Sequence, residues 1–149
     1  MEENQRYISH YGVPGMRWGR SGVTKSMAGL EKSWNRSAQK HDEKAGKFRE
    51  KAKLATHPVN KSIIESKAKR EAATAGATRN IKAGITQAKK MVEGMNMRQA
   101  VKKMQNEAGY SKGLQIYTAL TMGGETRLTL ASLDYALNVT GSGEHKPGK

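Results

Sequence analysis

Residues 27–58 read MAGLEKSWNRSAQKHDEKAGKFREKAKLATHP, and the spacing of their side chains decides the fold. Met27, Leu30, Trp34, Ser37, His41, Ala45, Phe48, Ala52 and Ala55 follow one another in steps of three and four. That is the period of one helix face, close to a heptad seam. Lys32, Arg36, Lys40, Lys44, Lys47, Arg49, Lys51 and Lys53 fill the intervals. Ser37 and His41 interrupt a narrow stripe, so this helix needs a partner. Pro58 disfavours helical geometry at His57 and ends it. Upstream, Ser21–Lys25 reads as the helix entry.

Outward from this stretch the pattern stays helical. A second helix is expected from about Asn60 to Glu93, with Ile63, Ile64, Ala68, Ala72, Ala75, Ile81, Ile85, Ala88, Val92 and Met95 as a rough seam. Gly76, Gly84 and Gly94 each weaken it by about 0.5–1 kcal/mol relative to Ala. A third helix carries its own punctuation: Asn96 as N-cap, Gln99 completing a capping box, and Gly109 just past the end. Its apolar face is Met97, Val101, Met104 and Ala108. Met91, Met95, Met97 and Met104 read as core filling around this region.

Beyond Tyr110 charges become sparse and most of the leucines are found. Leu114, Tyr117 and Leu120 mark one face of a helix from about Ser111 to Met122. Gly123 and Gly124 break it. Leu130, Leu133 and Leu137, flanked by Leu128 and Tyr135, mark another from about Glu125 to Asn138. These six marker residues are the expected self-association surface of a C-terminal helical hairpin, each arm of which is too short to span a bilayer. The expected class is mostly α: extended helices, a C-terminal hairpin, a small core and flexible termini. The expected divisions are a turn-rich motif over 1–20, a basic helical region over 21–109, the hairpin over 110–140 and a tail over 141–149.

Composition limits the core. Leu, Ile, Val and Phe number 21 of 149 residues, about 14%, and the net charge is +14. That is below the level at which a highly charged chain builds a large core. Residues 1–20 and 109–149 carry about +1 each, leaving about +12 on residues 21–108. Such a stretch attracts a polyanion and releases counterions on binding it. The expected phosphate contacts are Lys40, Lys44, Lys47, Lys51, Lys67, Lys69, Arg70, Lys89, Lys90, Lys102 and Lys103. No helix-turn-helix or other base-reading motif accompanies them, so binding is expected to be non-specific.

Little in the chain points to catalysis. There is no cysteine, and His10, His41, His57 and His145 are scattered without metal-ligand spacing. Glu31, Asp42, Glu43, Glu50, Glu65 and Glu71 alternate with cations at helix spacing, as surface ion-pair partners do. Neither a phosphate-binding glycine loop nor a nucleophile elbow is present. No enzyme, metal or cofactor is expected. The N-terminus carries no apolar run of a secretory signal.

Residues 10–19 read HYGVPGMRWG, with His10, Tyr11, Gly12, Val13, Pro14, Gly15, Met16, Arg17, Trp18 and Gly19 in one compact block. Pro14 and Gly15 suit the central positions of a type II turn. A tip bearing Tyr, Met, Arg and Trp has the composition of a binding hot spot. The block resembles a short HxGVxGMxWG-type element near the N-termini of many structural and internal proteins of tailed bacteriophages. That resemblance implies a docking or packaging motif. It also implies a virion protein made in the host bacterial cytoplasm and carried inside the capsid.

The expected partners are other virion proteins (capsid, portal or internal), packaged DNA and further copies of the chain. Membrane contact on ejection is compatible with this reading, although no spanning segment supports it. The function expected is an internal head protein that binds packaged DNA and is ejected with the genome to help its delivery through the host envelope. The alternatives are a head scaffolding, decoration or minor capsid protein, and a free basic nucleic-acid-binding protein.

Overall fold

The structure is a computed structural model that describes residues 15–140, with side chains from Gly22 onward. Among the described residues there are five helices and no strand: α1 (Gly15–Leu54), α2 (Pro58–Met91), α3 (Met97–Glu107), α4 (Lys112–Thr121) and α5 (Gly124–Thr140). At 1.5 Å per residue, α1 is about 60 Å long and α2 about 50 Å. They pack against each other as a hairpin turned by Ala55–His57. Pro58 stands at the start of α2, where its missing N–H costs no helical bond.

The helix entry lies upstream of the expected Ser21–Lys25, at Gly15, directly after Pro14. The type II turn expected around Pro14 and Gly15 is therefore corrected at its second half, because Gly15 already opens a helix. His10–Pro14 and the tail 141–149 lie outside the described residues, as do the side chains of residues 15–21.

The α1 seam follows its reading closely. Met27, Ala45 and Ala52 are buried, while Leu30, Trp34, Ser37, His41, Phe48 and Ala55 are half-buried. The packing changes in kind once along the hairpin. From Ala38 to Ala75 the buried groups are Ala38, Ala45, Ala52, Ala68 and Ala75, with no large side chain among them. Near the other end, Val23 and Met27 of α1 meet Ile85, Ala88 and Val92 at the end of α2. Ala100, Val101 and Met104 of α3 and Leu128, Ala131 and Ala136 of α5 complete this cluster. The core is therefore a four-helix pack at one end of a long two-helix handle. Met104 is fully buried, and Met91, Met95 and Met97 pack against the cluster from its rim.

The third helix is capped as expected. Gln99 N–H donates to Asn96 Oδ1 at 2.9 Å, and Asn96 N–H donates to Gln99 Oε1 at 3.2 Å. At its other end Gly109 takes φ 82°. There Tyr110 N–H reaches Gln105 O at 2.9 Å and Gly109 N–H reaches Asn106 O at 3.1 Å, a Schellman-like closure. Gly94, counted among the glycines that weaken the second helix, instead lies past its end with φ 78°.

The C-terminal helices stand where the sequence places them. On α5 the buried residues are Leu128, Ala131, Ser132 and Ala136; Leu133 and Leu137 are half-buried and Leu130 is 40% exposed. The small residues face inward because α5 crosses α2 closely, and bulk at that crossing would hold the helices apart.

Candidate nucleic-acid interface

The expected phosphate contacts lie on three helices. Lys40, Lys44, Lys47 and Lys51 recur in steps of four, three and four, which sets them in one stripe along α1, to one side of its alanine seam. All four are exposed. On α2, Lys67 and Arg70 share one flank of the helix and Lys69 lies on the other, all exposed. Lys90 is exposed near the end of α2, and Lys102 is exposed on α3 beside a shallow hollow lined by Met95, Gln99 and Asn106.

Three of the expected cations are engaged within the chain: Lys51 Nζ stands 5.9 Å from the centre of the Phe48 ring, and two others pair with carboxylates. Lys89 Nζ donates to Glu31 Oε1 at 2.8 Å, and Lys103 lies 3.2 Å from Glu107. Lys89 belongs to the clasp between α1 and α2, because Thr86 Oγ1 also donates to Glu31 Oε2 at 2.6 Å. Burial raises the Glu31 carboxyl, but the bonds from Lys89 and Thr86 and the charges of Lys89 and Lys82 outweigh it and hold it below its ordinary value. Further along the handle, Arg79 pairs with Asp42, and His41 Nδ1 lies 2.5 Å from Glu71 Oε2. Glu31, Asp42 and Glu71 thus tie the two long helices together along their length. The sequence marks these carboxylates as surface partners within a helix, and periodicity gives no sign that their cations sit on the facing helix.

The lysine stripe remains open to an outside anion. Regularly spaced ammonium groups are point charges, a chemistry that suits phosphate oxygens. Lys32, Arg36 and Lys40 line a further open depression with Gly29, Ser33 and Ser37, so the basic surface continues towards the core end.

Comparison with known proteins adds one local match. Residues 1–21 match the model of a family of unknown function, DUF7211. The match spans the HYGVPGMRWG block and stops before the basic stripe. No curated protein and no solved structure matches the chain.

The remaining chemistry is sparse. Among the described residues, no group of three His, Asp or Glu side chains stands together as a metal site. Nor is any described helix long and apolar enough to cross a membrane. Of the expected self-association residues, Leu114, Tyr117, Leu120 and Leu130 are exposed, while Leu133 and Leu137 are half-buried against the chain itself. Ile116, which the periodicity does not single out, is 61% exposed beside Tyr117.

Proposed function

We propose that this is a tailed-phage virion protein, internal to the head, that binds packaged DNA without reading its sequence. It leaves the capsid with the genome and helps its delivery through the host envelope. It acts without catalysis, metal or cofactor. The observation that carries the reading is the exposed stripe Lys40, Lys44, Lys47 and Lys51 on a helix about 60 Å long, in a chain whose N-terminal block resembles the phage element. Packaged DNA presents a dense array of phosphates, and a slender basic hairpin fits between duplexes where a globule does not. Support also comes from the narrow handle and the small core, which suit passage through a portal.

A second reading, a fixed minor component of the head, is favoured by the exposed apolar residues of α4, which suit a part built into an assembly. Mass spectrometry of purified virions separates the two. Presence in full particles and loss from emptied ghosts is expected for the ejected protein. Retention in ghosts supports the fixed component, and absence from both overturns both readings.

A further inference from the structure

α4 is packed inside out. Polar side chains tie it to α3: Gln105 Nε2 donates to Thr118 Oγ1 at 2.9 Å, and Gln115 Nε2 donates to Asn106 Oδ1 at 2.8 Å. Gln105 and Thr118 are 3% and 5% exposed. The opposite face carries Ile116, Tyr117 and Leu120, exposed to 61%, 61% and 81%, with Leu114 at its margin. An amphipathic helix normally turns such residues to the core. Here the buried amide and hydroxyl satisfy each other, so turning the helix over would leave polar groups unpaired and is opposed.

We infer that this face is covered by the same face of a second copy of the chain, about a two-fold axis passing near Tyr117. Charge identifies the occupant. Residues 110–140 contain two cations, Lys112 and Arg127, and two anions, Glu125 and Asp134, and so are neutral in a chain of net +14. Two such chains repel wherever their long helices face each other and close with least repulsion through this neutral surface, whereas the exposed Leu54, Val59 and Ile63 at the hairpin turn sit among Lys51, Lys53 and Lys61. The same lack of net positive charge gives a nucleic acid or an anionic membrane little to hold here. An isologous pairing also needs no second surface, since each copy offers the patch and receives it. The exposed apolar area is on the order of 500 Å² per copy, below the roughly 800 Å² of a standard partner surface, so the dimer is concentration-dependent. This inference is independent of where the protein acts.

Sedimentation of the full chain over a concentration series, at low and at high salt, tests it. Expected is a monomer–dimer equilibrium that strengthens with salt as the repulsion is screened. The double variant Tyr117→Ser, Leu120→Ser, altered only at exposed positions, is expected to remain monomeric. The chain lacks cysteine, so Tyr117→Cys gives an independent reading: oxidation is expected to join two copies, whereas Ala73→Cys, exposed on α2, does not. Monomer at every concentration overturns the inference, including the case in which some other protein occupies the face. So does a dimer that survives the double substitution, or equal cross-linking at positions 73 and 117.

Discussion

Gly84 of α2 lies directly against Ala136 of α5: a Cβ at position 84 would stand 2.7 Å from both Cα and Cβ of Ala136. Neither helix can give way locally, because the obstructing atoms include backbone. Gly84→Ala is therefore expected to destabilise the protein by about 1–3 kcal/mol through overpacking. Gly76, eight residues earlier on the same helix, has open space where its Cβ would be. Gly76→Ala is expected to stabilise by about 0.4–1 kcal/mol. Thermal or denaturant unfolding of the two variants checks the opposite signs.

The Tyr110 phenol donates to the Asp134 carboxylate, joining the residue after α3 to α5. Burial, then the bond to Asp134 and its charge, raise the phenol above its ordinary value of 10.0. The folded state therefore holds this proton more tightly than the unfolded chain. Its contribution is complete below pH 10.0 and is lost as the pH rises from there towards the folded value. Tyr110→Phe is expected to cost about 1 kcal/mol at neutral pH. The gap between wild type and variant should narrow above pH 10.0, read from denaturant midpoints.

Glu31 gives the opposite dependence. Its carboxyl is held below the ordinary 4.5, so the folded state takes up the proton less readily than the unfolded chain. The stabilisation is present above 4.5 and is lost as the pH falls through the lowered value. Glu31→Gln is expected to lower stability by about 1 kcal/mol at neutral pH. The difference from wild type should shrink in acid.

For the lysine stripe, affinity of the full chain for duplex DNA should fall steeply between low and moderate salt. Replacing Lys40, Lys44, Lys47 and Lys51 with Gln should reduce the slope of log K against log salt by about 0.9 for each phosphate that is no longer neutralised. The loss should be the same for unrelated DNA sequences. A slope unchanged by all four substitutions would remove α1 from the interface.

Local signals carry much of the fold. Pro58 marks the hairpin turn, and Asn96, Gln99 and Gly109 mark both ends of α3, because capping depends on neighbours in sequence. The alanine seam is legible for the same reason. What escapes is set by packing between distant segments. Leu114, Tyr117 and Leu120 share a face by periodicity, but periodicity does not say whether that face turns inward. Gln105 and Thr118 decide it, thirteen residues apart. Gly84 reads as a weak point in a helix, since only the presence of Ala136 gives its missing side chain a purpose. The stripe of lysines is visible as charge, whereas the engagement of Lys89 by Glu31 depends on two helices lying side by side.

The alanine seam makes the molecule softer at one end than the other. Between Ala38 and Ala75 the handle closes on alanine methyls, the half-buried Phe48 and Ile64 and a few ion pairs, while its other end is anchored in Met27, Ile85, Met104 and Leu128. Local opening costs least where little apolar surface is buried, so amide protection is expected to decline along the hairpin from the four-helix end to the turn at Ala55–His57. A pull or a constriction applied at that turn meets the weakest packing first. The chain is therefore expected to yield progressively from its tip, with its densest packing the last to give way.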